Sequence, residues 1–511
     1  MFAKVNSAAV VGLDGVLVEV ETDILSGLPT FNIVGLPDKA VEEAKERVRS
    51  ALLNSSADLP ARRITVNLAP ADLPKEGPSF DLPIAVSIML ATEQLKTDVS
   101  DALFIGELSL DGSLRHTRGI LPMVLFAKEA GMKRLFIPED NVHEAQIVEG
   151  IDIYPVKTLK QLFFHLTERT LIPKEEHIPY SEEDFEEEFE YDIKDVRGQE
   201  FAKRAVEIAA AGGHNILLKG PPGAGKTLLA RTLPSILPLL SFSEALEVTK
   251  VYSISGLLGK QSIIKKRPFR NPHHTTSHIG LIGGSANPKP GEVSLSHRGV
   301  LFLDEFPEFP RHVLEAMRQP MEDGFVTISR ARERVTFPSR FMLVAASNPC
   351  PCGYFGDKRH QCKCSSSQIL KYQKRISGPL LDRIDIHIDV PAVEVEKLTT
   401  EQKVVGEDSK TVRSRIKKAR KIQLERFRNS PTVTNSEMSS KHIKTFCALE
   451  EEVVLLLKSA IQKLSLSARA YHKVVKVAQT ICDLEGDAHI KKQHVLEALQ
   501  YRARVFETYT L

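Results

Sequence analysis

The residues best suited to chemistry form a glycine-rich segment at positions 220–228. The segment fits G-x-x-x-x-G-K-[ST], a pattern whose glycines let backbone N–H groups close around phosphate oxygens while the following helix adds positive potential. Lys226 is expected to reach the β- and γ-phosphates, and the Thr227 hydroxyl is expected to ligate Mg²⁺. The sequence therefore predicts an ATP site built from Gly220, Pro221, Pro222, Gly223, Ala224, Gly225, Lys226, Thr227 and Leu228.

Two adjacent carboxylates supply the second part of this site. Asp304 and Glu305 end the apolar run "GVLFLDE" at 299–305, and ligands of open α/β sheets lie at the carboxyl ends of the strands. Asp304 is expected to hold Mg²⁺, and Glu305 to orient or deprotonate the attacking water. Paired acids after a strand are common in proteins, so this prediction depends on their combination with the phosphate-binding segment.

Two further side chains are candidates for sensing or neutralising the γ-phosphate, a task that phosphoryl transfer requires. Asn348 ends the apolar run "FMLVAASN", and its alternative role is to form a turn before Pro349. Arg383 lies between two acids in "GPLLDRIDIHIDV" and is a candidate arginine finger if the protein forms a ring. A surface ion pair is the alternative for Arg383.

Four of the six cysteines follow Asn348 directly, in the segment "CPCGYFGDKRHQCKC". Cys350, Cys352, Cys362 and Cys364 supply four soft ligands, enough for one closed tetrahedral Zn²⁺ site. The two C-x-C pairs are tighter than the usual spacing of zinc ligands, so free thiols are the first alternative. Disulfides are the last, because a reducing compartment disfavours them.

Strands and helices must bring these residues together. Between residues 196 and 392, the strand-like runs "NILLKG", "GVLFLDE" and "FMLVAAS" alternate with helical patterns, which is typical of a parallel sheet with crossover helices. Residues 1–168 mix Val- and Ile-rich segments with helices and predict a second α/β domain. From residue 396 onward the pattern is almost entirely helical. The predicted fold class is therefore α/β with a helical C-terminal part.

The domain boundaries follow from an acidic segment. Residues 174–192 hold ten Asp or Glu and one Lys without a core pattern, which is typical of a linker. We therefore predict an N-terminal domain, an acidic linker, a nucleotide-binding core and a helical lid. Their bounds are 1–171, 172–192, 193–395 and 396–511.

The bulk composition limits the choice of function. The 511 residues carry 68 basic and 66 acidic side chains, a formal charge of +2, so any nucleic-acid surface must be a local concentration of Lys and Arg. No stretch approaches the roughly 20 apolar residues of a membrane span, and Asp14 interrupts the N-terminal apolar run before it reaches the length of a signal sequence. We expect a cytoplasmic protein without membrane contact.

Nearly the whole chain resembles the ComM/YifB family of magnesium chelatase-like proteins, within the AAA+ ATPases of the magnesium-chelatase and MCM-helicase branch. The segments that carry the resemblance are "GPPGAGKT", "FRNPHHTTSHIGLIGG", "GVLFLDEFPEF", "ASNPCPCGY", "GPLLDRIDI" and "SARAYHKVVKVAQTI". The resemblance implies an AAA+ P-loop core, a magnesium chelatase-like helical lid and a hexameric ring with ATP at subunit interfaces. It also implies that Asn348 is the sensor 1 residue, Arg383 the arginine finger and Arg469 the sensor 2 arginine of the lid.

Two basic segments are candidates for DNA contact. The resemblance places an insertion at 240–298, whose basic cluster can meet phosphates despite the neutral total charge. The cluster consists of Lys265, Lys266, Arg267, Arg270, His273 and His274. His273, His274 and His278 are potential metal ligands, but nothing nearby completes a tetrahedral set.

Residues 324–340 form the second candidate, because apolar and polar side chains alternate there and predict a β-hairpin with Arg330 and Arg332 at its tip. The resemblance implies that this hairpin points into a ring channel and grips DNA. A solvated strand edge is the alternative.

The N-terminal domain resembles the Lon-protease fold, a ribosomal S5 domain 2-like arrangement, through "NLAPADLPKEGPSFDLPIAV" and "FIGELSLDGSLRHTRGILPM". Ser79 takes the position of the Lon nucleophile, which needs a lysine as its base. The position of that lysine falls near Leu121, where "RGILPM" offers none. We therefore expect an inactive protease domain for assembly or DNA docking, with Ser79 as a helix N-cap.

The combined pattern favours an ATP-driven DNA motor, either a helicase or a translocase. The resemblance implies branch migration of recombination intermediates during natural transformation, with DNA, other copies of the chain and recombination proteins as partners. A chelatase-type motor that remodels a metal-insertion or protein partner is one alternative. A Lon-like protease or a scaffold without activity is the other.

Overall fold

A computed structural model of the chain describes residues 1–181, 189–259, 261–285, 288–329, 334–357, 359–392, 406–463 and 467–502. The chain divides into two compact units. One contains the chain up to residue 183 together with 241–264, and the other contains 184–240 together with the chain from residue 265. Part of the predicted acidic linker, residues 182–188, lies outside the described residues.

The first unit is an α/β domain. Its strands are β1 Phe2–Val11, β2 Asp14–Leu25, β3 Thr30–Val34, β4 Arg63–Ala69, β5 Ala102–Phe104, β6 Glu107–Leu108, β7 Leu114–Arg115, β8 Arg134–Pro138 and β9 Asp152–Val156. Its helices are Lys39–Glu42, Ala44–Asn54, Asp81–Ala91, Ile120–Glu129, Val142–Ala145, Leu159–Leu166 and Phe242–Ser255, with 3₁₀ turns at Pro78–Phe80 and Glu139–Asn141. Seven strands form a mixed sheet in the order β3-β4-β2-β1-β5-β8-β9. Alternate residues of β1 and β5 enter two separate apolar clusters, one on each face of this sheet.

The helix Phe242–Ser255 belongs to the first unit. The sequence analysis had placed all of 193–395 in the nucleotide-binding core. Ser253 donates a hydrogen bond of 2.7 Å to Glu144, and its carbonyl accepts from the N–H of Gly119 at 3.2 Å. Leu246 packs against one of the two apolar clusters of the first unit. The position of 241–264 directly after the phosphate-binding helix did not indicate which unit covers this helix.

The second unit contains a parallel sheet and most of the helices. Its strands are β10 Ile216–Lys219, β11 Phe269–Arg270, β12 Gly283–Gly284, β13 Lys289–Pro290, β14 Val300–Leu303, β15 Phe325–Ser329, β16 Arg334–Pro338, β17 Met342–Ser347 and β18 Ile386–Asp389. Its helices are Glu200–Gly212, Lys226–Arg231, Leu233–Ile236, His278–Ile282, Glu292–Leu295, Arg311–Ala316, Arg318–Asp323, Ser366–Gln373, Gly378–Leu381, Ser409–Arg426, Ser440–Phe446, Glu451–Lys463, Ala468–Glu485 and Lys492–Gln500, with 3₁₀ turns at Ile193–Asp195, Phe306–Glu308 and Asn435–Glu437.

The five strands β11-β14-β17-β10-β18 pair in parallel, which confirms the predicted parallel sheet. Every residue of β14 and β17 is buried, as expected for strands covered on both faces. Because all five strands run in one direction, their carboxyl ends share one edge of the sheet. That edge is where the predicted site residues follow the strands.

The predicted hairpin and the predicted helical C-terminal part are also present. β15 and β16 pair antiparallel from Phe325 with Pro338 to Ser329 with Arg334, which confirms the hairpin, whereas its predicted tip residues Arg330 and Arg332 lie outside the described residues. The part described after residue 406 is helical, and its apolar side chains join the cluster that covers the parallel sheet. Among the helices of the described ranges, none combines the length and apolarity that crossing a bilayer requires.

Candidate functional site

The carboxyl ends of β10, β14 and β17 surround a cavity of about 420 Å³. It is lined by Pro222, Gly223, Ala224, Gly225, Lys226, Thr227, Leu228, Asp304, Glu305, Ala346, Ser347 and Asn348. The structure thus brings together three groups that the sequence predicted separately, the phosphate-binding segment, the two carboxylates and Asn348. This placement follows from the parallel sheet, because each group directly follows its strand.

The loop after β10 needs its glycines. Gly223 and Gly225 have φ of +74° and +86°, values that favour glycine over residues with a side chain. Gly220 is required for a different reason, because a Cβ there would lie 2.1 Å from the Val390 carbonyl oxygen. The glycine spacing therefore serves both the turn and the close approach of the loop to Val390, the residue after β18.

Lys226 lies at the start of its helix with all of its ammonium donors in use. Nζ donates to the carbonyls of Gly220 at 2.7 Å and Pro221 at 2.9 Å, and to Oδ1 of Asn348 at 3.2 Å. Burial lowers the pKa of Lys226. The contact with Asn348 joins the phosphate-binding lysine to the predicted sensor residue.

Thr227 and Asp304 fit a magnesium ion. The Thr227 hydroxyl donates to Oδ2 of Asp304 at 2.8 Å, so two oxygen ligands already lie side by side. Magnesium in phosphoryl-transfer sites is held by one or two protein oxygens, water and the phosphates. The two oxygens named in the sequence prediction are therefore suited to that ion.

Glu305 lines the cavity and has a left-handed backbone conformation. Its backbone has φ of +51°, and its N–H donates to Oδ1 of Asp304 at 2.9 Å. Its carboxylate lies 3.2 Å from Nδ1 of His274, whose ring is tilted by 34° against that of His273 with centroids 4.1 Å apart. Sequence analysis assigned His274 to DNA contact and missed this pairing, because 31 residues separate the two side chains along the chain.

The rest of the predicted basic cluster is partly engaged within the protein. Arg270 makes two hydrogen bonds to Glu292, at 2.6 and 2.7 Å, and Arg267 donates to the carbonyls of Pro238 and Arg298. Lys266 lies 4.9 Å from the centroid of the Phe189 ring. Lys265 is half-buried and His273 is exposed. The structure therefore does not present the six residues as one patch, since Arg267 and Arg270 have structural partners.

Arg383 and Arg469 converge on one carboxylate. Both pair with Glu322 of the helix Arg318–Asp323, which precedes β15. Arg383 also donates to the Pro379 carbonyl at 2.8 Å. Neither arginine is among the described residues that line the cavity, so the structure does not bring them to the other predicted catalytic side chains of the same chain.

The four predicted zinc ligands lie together after β17. Their Sγ atoms are all within 4.8 Å of one another, and Cys350 lies 3.3 Å from Cys352 and 3.7 Å from Cys362. A tetrahedron of sulfurs with Zn–S bonds of about 2.3 Å has edges of about 3.8 Å. Cys364 completes the group.

The electrostatics differ among the four cysteines, because desolvation and the neighbouring thiols raise the pKa of Cys362 and Cys364. Backbone N–H groups of Tyr354 and Lys363 lower the pKa of the Cys352 thiol to about 6. The N–H of Phe355 donates to the sulfur of Cys350 at 3.3 Å. Such hydrogen bonds stabilise the charged form that binds metal.

The cysteine loop touches the phosphate-binding loop at Gly353. A Cβ at this position would lie 2.6 Å from Cδ of Pro222 and 3.9 Å from Cγ of Asn348. The loop that carries the sulfurs is therefore in direct contact with the loop that lines the nucleotide cavity.

Ser79 is not the helix cap that the sequence predicts. It is buried within the turn Pro78–Phe80, and the next helix begins at Asp81 with Phe80 at its N-cap and without a side-chain cap. Lys75, which the sequence analysis did not weigh, is buried, and burial lowers its pKa. Its ammonium donates to the carbonyl of Pro70.

Family models match three parts of the chain. "Magnesium chelatase, subunit ChlI" matches residues 192–398, "Subunit ChlI of Mg-chelatase" matches 20–141, and "Magnesium chelatase, subunit ChlI C-terminal" matches 406–502. These matches support an ATPase that uses ATP and Mg²⁺, in agreement with the cavity.

Full-length relatives define the family more narrowly. The competence protein ComM of Haemophilus influenzae is 44% identical over 505 residues, which are 98% of each protein. YifB of Escherichia coli is 41% identical over 500 residues, 98% of this chain and 96% of YifB. A shorter match, 28% identical over 194 residues, covers 34% of this chain and 34% of Lon protease 2 of Bacillus subtilis. The chain belongs to the ComM/YifB family of magnesium chelatase-like proteins.

Proposed function

We propose that the protein is an ATP-hydrolysing motor that assembles as a ring on DNA and moves the branch point of recombination intermediates. The observation that supports the ATPase most directly is the cavity where Lys226, Asn348 and the Thr227–Asp304 pair meet. The name of the Haemophilus influenzae relative, a competence protein, supports a role in recombination. The β15–β16 hairpin offers a DNA-contacting element.

The cavity residues divide the work of hydrolysis. Lys226 exchanges its backbone contacts for phosphate oxygens, and Asn348 follows that exchange because it bonds the same ammonium. When Mg²⁺ is bound by Thr227 and Asp304, it neutralises charge on the phosphates. Glu305 orients the attacking water and accepts its proton, which requires the carboxylate to be available beside His274.

Hydrolysis of ATP with and without DNA tests the proposal. Single-stranded DNA and a four-way junction are compared, with Lys226→Ala and Glu305→Gln as inactivating variants and the exposed Lys410→Ala as the control. We expect stimulation by DNA in the wild type and in Lys410→Ala, and turnover reduced by at least about 10²-fold in the other two. A wild-type rate that no DNA changes counts against a DNA motor, and movement of the junction separates branch migration from simple unwinding.

A chelatase-type motor is the second candidate, and the names of the three matching family models favour it. The same assay distinguishes the two. A chelatase motor hydrolyses ATP without a response to DNA, whereas the proposed motor responds.

The ring is tested through its subunit interface. If Arg383 acts on ATP of a neighbouring subunit, Arg383→Ala lowers turnover while the protein still binds ATP. Mass measurements with ATP are expected to show six subunits per particle, and a monomer under all nucleotide conditions would rule out the ring.

Zinc in the cysteine cluster is part of the proposal. The close sulfurs and the N–H donors around them support one structural Zn²⁺ per chain, without an open ligand position. Metal analysis of Cys362→Ser/Cys364→Ser should show zinc loss, whereas Cys447→Ala, which removes a buried cysteine outside the cluster, should retain it. Equal zinc contents in all three proteins would exclude the site.

A further inference from the structure

One carboxylate holds two arginines outside the nucleotide cavity. Glu322, near the end of the helix Arg318–Asp323, accepts a hydrogen bond from Nη2 of Arg383 on Oε2. Its other oxygen pairs with Nη2 of Arg469 at 3.5 Å. The two arginines that the sequence assigned to the ATP reaction therefore share a single negative charge. We call this arrangement, Glu322 with Arg383 and Arg469, the arginine clasp.

A buried ion pair fixes the elements that carry both arginines. Lys473, one helical turn after Arg469, contacts Oδ1 of Asp385 at 2.7 Å, and Asp385 lies two residues after Arg383. Burial favours the neutral carboxyl, but the Lys473 ammonium and His214 keep the pKa of Asp385 well below its usual range. The charged pair thus joins the helix of Arg469 to the start of the strand that follows Arg383.

Arg383 keeps an unused donor in the clasp. Its buried Nε has no hydrogen-bond partner within the described part of the chain. A buried donor without an acceptor is costly, so a move that brings this guanidinium to another anion recovers an interaction. Arg469 is 61% exposed against 18% for Arg383, and its contact is the longer one, so we expect Arg469 to leave the clasp first.

The described residues that line the nucleotide cavity include one cation. Among its described lining residues, Lys226 is accompanied by the carboxylates of Asp304 and Glu305. Phosphoryl transfer needs further positive charge on the transferred group, and arginines of the same or a neighbouring subunit commonly provide it. The arginines of the clasp can do so only after Glu322 releases them.

The clasp is connected to the hairpin. Two residues, Asp323 and Gly324, separate Glu322 from β15, and Gly324 has φ of +74°. The N–H of Ser339, after β16, donates to the Gly324 carbonyl at 2.9 Å and closes the base of the hairpin. We propose that Glu322 is a positioning residue that withholds both arginines from ATP until DNA moves the β15–β16 hairpin. This inference rests on the proposed function, since it assumes hydrolysis coupled to DNA contact.

The test compares Glu322→Gln with Asp323→Asn, which removes the same charge from the next residue of the same helix. ATP hydrolysis is measured without DNA and at saturating DNA. We expect Glu322→Gln to raise the DNA-free rate about two- to fivefold, the range for losing an exposed ion pair, and to reduce the stimulation by DNA by a similar factor. Asp323→Asn should match the wild type in both measurements. An unchanged DNA-free rate in Glu322→Gln overturns the proposal.

Double-mutant cycles distinguish failure of the clasp from failure of the proposed function. Unfolding is measured for Glu322→Gln combined with Arg383→Gln and with Arg469→Gln. We expect the effects on the unfolding constant to be non-additive by about two- to fivefold for at least one pair. Additive effects for both pairs overturn the clasp. If the wild type hydrolyses no ATP, the proposed function fails, and the cycles alone decide whether the clasp exists.

Discussion

A methyl group at Gly353 tests whether the cysteine loop controls the nucleotide site. Gly353 has φ of +87°, and a Cβ there would lie 2.6 Å from Cδ of Pro222. Carbon atoms of neighbouring residues normally stay about 3.5–4.0 Å apart, so Gly353→Ala must displace the proline ring by about 1 Å. Because Pro222 belongs to the phosphate-binding loop, the displacement acts on the geometry of bound ATP. A shift of this size costs on the order of 10²-fold in catalytic efficiency.

Gly356→Ala is the matched control. Gly356 has φ of +81°, and a Cβ there meets no atom within 4 Å. Both variants therefore place alanine in left-handed backbone, at a similar cost of about 1–2 kcal/mol. Only Gly353→Ala adds the contact with Pro222, so the difference between the variants measures that contact and not the strain.

The assay is steady-state ATP hydrolysis over a range of ATP concentrations, with zinc content and unfolding measured in the same preparations. We expect Gly353→Ala to lose about ten- to hundredfold in kcat/KM, mainly through a higher KM, because the displaced loop binds phosphates. Gly356→Ala should stay within about twofold of the wild type. Equal losses in the two variants would refute the reasoning, since the contact with Pro222 would then have no effect on ATP.

Three further predictions concern stability and the N-terminal unit. Burial and the nearby Arg502 lower the pKa of His387 to about 4, so below about pH 6.5 the unfolded chain binds a proton that the folded chain does not. The free energy of unfolding of the second unit, measured with denaturant, should therefore fall by about 2 kcal/mol between pH 7.5 and 5. His387→Asn should remove this pH dependence. Lys473→Met leaves the buried Asp385 carboxylate without its ammonium partner and should lower the free energy of unfolding by about 3–5 kcal/mol, whereas a loss below 1 kcal/mol would contradict a stabilising pair between Lys473 and Asp385. Ser79→Ala should leave ATP hydrolysis unchanged, and peptide hydrolysis that disappears in this variant would contradict an inactive protease domain.

The nucleotide cavity was predictable because its signals are local. The phosphate-binding segment, the carboxylates Asp304 and Glu305, and Asn348 each follow an apolar run within one or two residues. A parallel sheet then brings such positions to one edge without further information. The cysteine cluster was predictable for the same reason, since its two C-x-C pairs lie within 15 residues.

The pairings of charged side chains were not predictable. Glu322 precedes Arg383 by 61 residues and Arg469 by 147, and the sequence contains many acids that are equally suitable by type. The same applies to His274 and Glu305, and to Arg270 with Glu292. Residue type and spacing identify groups that carry charge, whereas the partner is decided by tertiary packing.

The two errors in the N-terminal unit have physical causes. Ser79 was expected to cap a helix from its type and position alone, but the chain forms a 3₁₀ turn first, and Asp81 begins the helix while pairing with Arg47 at 2.6 Å. The helix Phe242–Ser255 was assigned to the core because it follows the phosphate-binding segment in sequence. Connectivity does not determine which apolar surface an amphipathic helix covers.

Under the proposed function, three short routes connect DNA contact to ATP hydrolysis. Glu305 pairs with His274 of the segment proposed to contact DNA, Asn348 lies two residues before the cysteine loop, and Glu322 lies three residues before the hairpin. Each route ends on a residue with a different proposed role, which is the base for Glu305, the sensor for Asn348 and the release of the arginines for Glu322. Removing one route should therefore reduce the stimulation by DNA only in part. The combination of Gly353→Ala with Glu322→Gln should reduce it by more than either variant alone, because the two changes act on separate groups of the same reaction.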